Sequence, residues 1–157
     1  LAQEITTKTA GDATAQFKTN TPSRLRMATL YGVAAIIGNC RISNNGNKSE
    51  CLMGYFTIWG DGAGDFAPLA NLYVSDVVRL GIELGLPEEL VKKAPSDGMC
   101  GKTDEDNLGF TYAELDRYIR GIEEPAPDKK ALIDRKHQIN LFKLELMPSF
   151  MPDEKDI

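Results

Sequence analysis

The chain has one histidine, one tryptophan and three cysteines in 157 residues. With His137 alone, no histidine-rich metal cluster and no Ser/His/Asp or Cys/His arrangement can be assembled from the sequence. Cys40, Cys51 and Cys100 are odd in number and lack Cys-x-x-Cys spacing, so they read as reduced thiols of a cytoplasmic protein. No apolar run reaches the ~20 residues of a membrane span; the longest, Leu30 to Ile37, is broken by Gly32. Excess basic charge is missing as well. A net charge of −5 argues against a uniformly basic nucleic-acid surface, so a phosphate-bearing ligand has to meet local cations. The first residues carry no secretory pattern, and residue 1 is Leu rather than Met; the chain reads as a fragment or a processed product.

What is present is an ordinary globular composition, 42% apolar and 26% charged, long enough for one buried core. Residues 1–19 are polar and Thr/Ala-rich, with a partial helix at most. Thr21-Pro22 is a helix-start signal and predicts a helix from Ser23 to about Ile37, stopped by Gly38-Asn39. Cys40 to Ser43 reads as a short strand. Further helices are expected from a Ser75 cap to Gly85, from Pro87, from the Thr111/Glu114 capping box to Gly121, and from an Asp128 cap to about Leu141. Ala94 to Asp106 reads as loop, and residues 149–157 as a mobile tail. The content is mainly helical. A strand entering a Gly/Asn loop and then a helix is also how α/β nucleotide sites are built.

Two loops carry the chemistry. Asn44 to Glu50 offers small residues whose backbone N–H groups can face an anion, a lysine for a phosphate, and Glu50 as a hard oxygen ligand for Mg²⁺; a polar turn would use the same residues. Gly60-Asp61-Gly62-Ala63-Gly64-Asp65 suits a cradle for a polar ligand or a tight connector. Trp59 suits ring stacking or packing. Arg24 and Arg26, placed in a first helical turn, oppose the helix dipole and so suit an anion or an interhelical salt bridge. Thr103 to Asp106 reads as a solvated acidic loop, and His137 as a surface histidine.

Taken in order, these segments resemble the ammonia-dependent NAD synthetases. Asn20-Thr21-Pro22-Ser23-Arg24-Leu25-Arg26-Met27 resembles their N-x-x-A-R-x-R-M helix, and Asn45-Gly46-Asn47-Lys48-Ser49-Glu50 their G-T-x-N-x-S-E loop. Gly54-Tyr55-Phe56-Thr57 through Asp65 and Pro68-Leu69 follows G-[FY]-x-T-x-[YFW]-G-D-x-x-x-D-x-x-P-L. Lys93 to Gly98 is similar to K-x-P-[ST]-[AD]-[DG], and Thr103 to Tyr112 to T-D-E-x-x-L-G-x-x-Y. The similarity covers residues 20–148, the expected synthetase-like domain.

The resemblance implies an α/β, adenine-nucleotide α-hydrolase-like fold, a parallel sheet with flanking helices, of which this chain is the mainly helical C-terminal portion. It also implies a homodimer. The implied reaction is adenylation of the nicotinate carboxylate of deamido-NAD by ATP with Mg²⁺, followed by displacement of AMP by ammonia. By position, Arg24, Asp65 and Lys143 fall to deamido-NAD, Asn45 and Ser96 to ATP, and Glu50 to the metal, with the two loops expected to surround one cleft. Several positions depart from the family pattern. Asn45 stands for an ATP-contacting Thr, Ile58 for a substrate-contacting Lys, Val74 for an ATP-contacting Lys and Phe142 for the His of a His-Lys pair. The S-G-G-x-D-S phosphate loop is not among these residues, so the 157 residues alone are expected not to turn over. The alternative is a non-catalytic relative that dimerises or binds nucleotide.

Overall fold

The structure, a computed structural model, describes residues 4–5, 13–96, 101–145, 147–153 and 155. Helix α1 runs Ala15–Ile37, its N-terminus capped by the Thr14 side chain accepting from Phe17 N. The start expected at Thr21-Pro22 is therefore corrected: Pro22 lies inside the helix. Proline there forfeits one backbone bond, but the neighbouring turns are held from outside, because Asn20 accepts from Thr57 Oγ1 at 3.0 Å and Ser23 is bonded to Asp61 at 2.6 Å. Arg24 and Arg26 consequently sit mid-helix, where the dipole argument for an anion does not apply. Gly38 and Asn39 stop the helix with φ of 74° and 54°.

Helix α2 is Lys48–Met53, α3 Val74–Glu83, α4 Glu88–Val91, α5 Asp104–Leu108, α6 Tyr112–Ile119 and α7 Pro127–Asn140, followed by a 3-10 turn Leu141–Lys143. Three of these are opened by capping boxes, Asn47 with Glu50, Thr103 with Asp106, and Thr111 with Glu114. Each box satisfies two N–H groups that a helix start leaves bare. The Thr103 box converts the expected loop into α5. The N-cap of α3 is Tyr73 rather than Ser75, with Tyr73 N donating to Asp76. The expected strand reduces to one parallel bridge between Ser43 and Phe66, with Asn44 N donating to Phe66 O (2.8 Å) and Asp65 N to Ile42 O (2.7 Å). Among the described residues the fold is otherwise helical.

The core gathers Met53 of α2, Leu108 of α5, Phe110, Tyr112 and Leu115 of α6, and Ile133 of α7, all buried. Burying each side chain of this size contributes roughly 1.5–3 kcal/mol. Helix α1 is outside this cluster. It meets the rest through buried Ser23 and Met27, and its C-terminal half leaves Leu30, Val33, Ile36 and Ile37 exposed. His137, expected at the surface, is half-buried, with Nδ1 2.7 Å from Leu52 O.

Glu114 links α6 to α7 through Lys129. The Lys129 ammonium, then the Thr111 N–H, lower its carboxyl from 4.5 to about 2. A depressed carboxyl pKa contributes stability that is present above the unfolded value and is lost as pH falls through the folded one. Glu114→Gln is therefore expected to flatten the decline in stability between pH 4.5 and about 2; urea unfolding at stepped pH measures it, and an unchanged acid slope contradicts it.

Candidate functional site

Side chains from distant segments meet around three adjoining cavities, and Phe56 lines all three. The first, about 330 Å³, is built on the loop before α2. Short side chains lock that loop. Gly46 N donates to Asn44 Oδ1 at 2.8 Å, Ser43 Oγ to Asn45 Oδ1 at 2.7 Å, and Glu50 N to Asn47 Oδ1 at 3.0 Å. Asn45 and Glu50 line the cavity, and Ser96 and Asp104 arrive from the far side. Residues assigned separately by resemblance, Asn45, Glu50 and Ser96, thus share one space. Asp97 and Gly98, which complete the motif around Ser96, lie outside the described residues.

Glu50 is the electrostatic centre of this cavity. Its Oε2 accepts from Asn47 N at 3.0 Å. Burial pushes its carboxyl above the usual range, the Asn47 N–H pulls it partly back, and the charges of Asp104 and Asp61 add to the rise. Carboxylates crowded into a half-buried space favour a proton or a cation. Among the described residues no group of three His, Cys, Asp or Glu side chains is arranged to hold a metal. The Glu50 carboxylate is a hard oxygen of the kind Mg²⁺ takes when it uses one or two carboxylates and completes its shell with water and substrate phosphates, so the residues lining this cavity fit such an ion.

Asp65 does not line any of the three cavities. Its carboxylate accepts from Ile42 N at 2.8 Å and from Tyr31 OH at 3.5 Å, which closes the parallel bridge and ties it to α1. The expectation that Glu50 and Asp65 face one cleft is corrected accordingly. The acid that the glycine-rich loop brings to Glu50's cavity is Asp61. Its Oδ1 accepts from Ser23 Oγ (2.6 Å) and Thr57 N (3.1 Å), while its own N–H donates to Ser23 Oγ (2.9 Å). Gly60 must lack a side chain, because a Cβ there would stand 2.3 Å from Ser23 Oγ.

Arg24 is exposed and donates from Nε to Ile58 O at 3.1 Å. Lys143 donates to Gly54 O (2.6 Å) and Phe56 O (2.9 Å), and burial lowers its pKa. It stands between the second cavity, about 530 Å³ with Arg26, Lys136 and Asn140 on its walls, and a third of about 380 Å³. The third is walled by Ile58, Trp59 and Phe142. Val74 faces the core instead, its N–H donating to Ser49 Oγ at 3.3 Å. Lys48 lies 4.6 Å from the Tyr73 ring centre. The sequence reading missed Asp104, which is 6% exposed rather than solvated; the Thr103/Asp106 capping box was the available signal.

The NAD synthase family model matches residues 2–147. An NH(3)-dependent NAD(+) synthetase of Finegoldia magna is 41% identical over 138 residues, 87% of this chain and 56% of the relative. Among solved structures, NMN synthetase from Francisella tularensis superposes with a TM-score of 0.86 at 35% identity, over 97% of this chain and 63% of that one. The NH3-dependent NAD synthetase of Campylobacter jejuni gives 0.72 at 28%, over 96% and 61%. The chain therefore spans 56% of the length of the Finegoldia relative. With nearly all of its residues matched, the chain belongs to the NAD synthase family.

Proposed function

We propose that the protein carrying this chain joins ammonia to the nicotinate carboxylate of deamido-NAD, using ATP and Mg²⁺, and releases NAD, AMP and pyrophosphate. The observation that carries this reading is the convergence of Asn45, Glu50 and Ser96 on one cavity from segments far apart in sequence. A carboxylate oxygen of the substrate bonds to the α-phosphorus of ATP and pyrophosphate leaves. The lone pair of ammonia then bonds to the acyl carbon, AMP leaves with the electron pair of the cleaved C–O bond, and the nitrogen gives up a proton. Bound Mg²⁺ would offset phosphate charge. Glu50 would hold it, Asn45 and Ser96 would fix the nucleotide, and Lys143 would hold the Gly54–Phe56 carbonyls between the two substrate spaces. Arg24 and Asp65 act from the periphery, Arg24 by steadying the backbone at Ile58. Beyond these residues, the parallel bridge at Ser43 and Phe66 would continue into the parallel sheet of an adenine-nucleotide α-hydrolase-like fold.

The better superposition on the NMN synthetase than on the Campylobacter enzyme supports a second reading, amidation of nicotinate mononucleotide to NMN. The exposed apolar strip on α1 suits a second copy of the chain in a homodimer. No helix among the described residues is long and apolar enough to cross a membrane, and the protein is placed in the cytoplasm as part of this proposal. The test is turnover of the full-length protein with ATP, Mg²⁺ and ammonia on each substrate. Amide formation equal to AMP release, lost when Mg²⁺ is chelated, is expected. Absence of amide from both substrates contradicts the reading.

A further inference from the structure

We infer that Tyr112 is a positioning residue for Glu50: its buried hydroxyl donates to the Glu50 carboxylate when that carboxylate takes up the cation of the nucleotide. The inference rests on the metal assignment of Glu50 above and extends it to a residue behind the cavity wall. Tyr112 is 3% exposed, and its hydroxyl has no hydrogen-bond partner among the described residues. A buried phenol ordinarily finds one. Phenylalanine would fill the same space without the cost of burying an unpartnered oxygen, so the hydroxyl calls for a use in another state of the protein.

The fold brings this hydroxyl to the floor of Glu50's cavity. The Tyr112 ring belongs to the buried cluster that includes Met53 and Leu108. Met53 follows Glu50 by three residues on α2, and Leu108 follows Asp104 by four on α5; residues so spaced share one helix face. The side chains clustered with the ring are therefore one turn from the two carboxylates that line the cavity. The Tyr112 backbone is pinned as well, its N–H donating to Glu105 Oε1 at 2.8 Å. Burial, then the charges of Glu50 and Asp104, raise the pKa of the phenol, so it keeps its proton and meets a carboxylate as a donor. Glu50 has room for that bond. Its Oε2 takes the Asn47 N–H at 3.0 Å, and a carboxylate offers about four lone-pair sites, enough for a cation and a hydroxyl besides. An outer hydrogen bond of this kind fixes the orientation of a ligating carboxylate and tunes its hold on the metal.

The full-length protein is titrated with Mn²⁺ in the presence of a non-hydrolysable ATP analogue, and free Mn²⁺ is read by its paramagnetic resonance signal. Tyr112→Phe should weaken Mn²⁺ binding about ten-fold. Its melting temperature without nucleotide should equal or exceed that of the parent, because an unpartnered hydroxyl has been removed. In turnover, the Mg²⁺ concentration for half-maximal rate should rise by a similar factor, with KM for deamido-NAD unmoved at saturating Mg²⁺. A tyrosine that only fills the core predicts unaltered Mn²⁺ affinity, and that result overturns the proposal. So does a lowered melting temperature, which would show the hydroxyl already bonded within the protein. Glu50→Gln, titrated alongside, separates the two claims. Undiminished Mn²⁺ binding in that variant defeats the metal assignment itself, whereas weakened binding there with parental binding in Tyr112→Phe defeats the positioning role alone.

Discussion

Glu50→Gln is expected to slow amide formation by about 10²–10³-fold, the usual loss when one electrostatic stabiliser is removed from a partly dry site, while the folded chain becomes no less stable. The two effects separate because Glu50 has two physical roles. As the third residue of α2 it accepts the Asn47 N–H at 3.0 Å, and a glutamine oxygen accepts that bond equally well. As a charge it is held in a half-buried space beside Asp104 and Asp61, which raises its carboxyl pKa. A carboxyl raised on folding weakens the folded state as pH climbs from the unfolded value through the folded one. At neutral pH the neutral amide removes that cost, so the melting temperature of Glu50→Gln should equal or exceed that of the parent. Glu50→Ala loses the cap too and should be less stable by about 1 kcal/mol. Steady-state rates and thermal melts on both variants make the comparison; a Glu50→Gln enzyme with undiminished turnover removes the metal assignment.

Asp116→Ala is expected to cost about 3 kcal/mol or more of stability, a large share of the roughly 5–15 kcal/mol that holds a domain folded. Asp116 is 3% exposed and Ser49 is fully buried beside it. Asp116 Oδ1 accepts from Ser49 Oγ at 2.5 Å and Oδ2 from Ser75 N at 3.0 Å. Ser49 Oγ in turn accepts from Val74 N. One carboxylate on α6 thus ties down the starts of α2 and α3. Deleting it strands a buried hydroxyl and a backbone N–H, and each stranded group costs about 1–3 kcal/mol. Asp116→Asn keeps an acceptor for one of them and should lose about half as much. Urea denaturation reads the difference, and near-parental stability in Asp116→Ala would show that the network is not what joins these helices.

Legibility in the sequence followed how local each determinant is. The Thr111/Glu114 box and the stop at Gly38-Asn39 were readable because the residues that decide them lie within one turn. The Thr103/Asp106 box is equally local, but the polar composition around it suggested a loop. The start of α1 was not readable, because the contacts that carry the helix through Pro22 come from Thr57 and Asp61, more than thirty residues away. The candidate site divides in the same way. Glu50 and Asn45 sit on one locked loop. Asp61 and Asp65 are four residues apart in a glycine-rich segment, and nothing local says which faces the cavity. Ser23 and Ile42 decide it, each by bonding one of the two carboxylates.

The central claim is that the cavity between Asn45, Glu50 and Ser96 holds a magnesium nucleotide. Crystals of the full-length protein grown with ATP and Mn²⁺ in place of Mg²⁺ test it most directly, since manganese is located by its anomalous scattering. The expected result is a manganese peak at coordination distance from Glu50 Oε1, bridged to nucleotide phosphate, with Asn45 and Ser96 against the same nucleotide. A manganese–ATP complex bound elsewhere, with Glu50 touching neither metal nor phosphate, would contradict it.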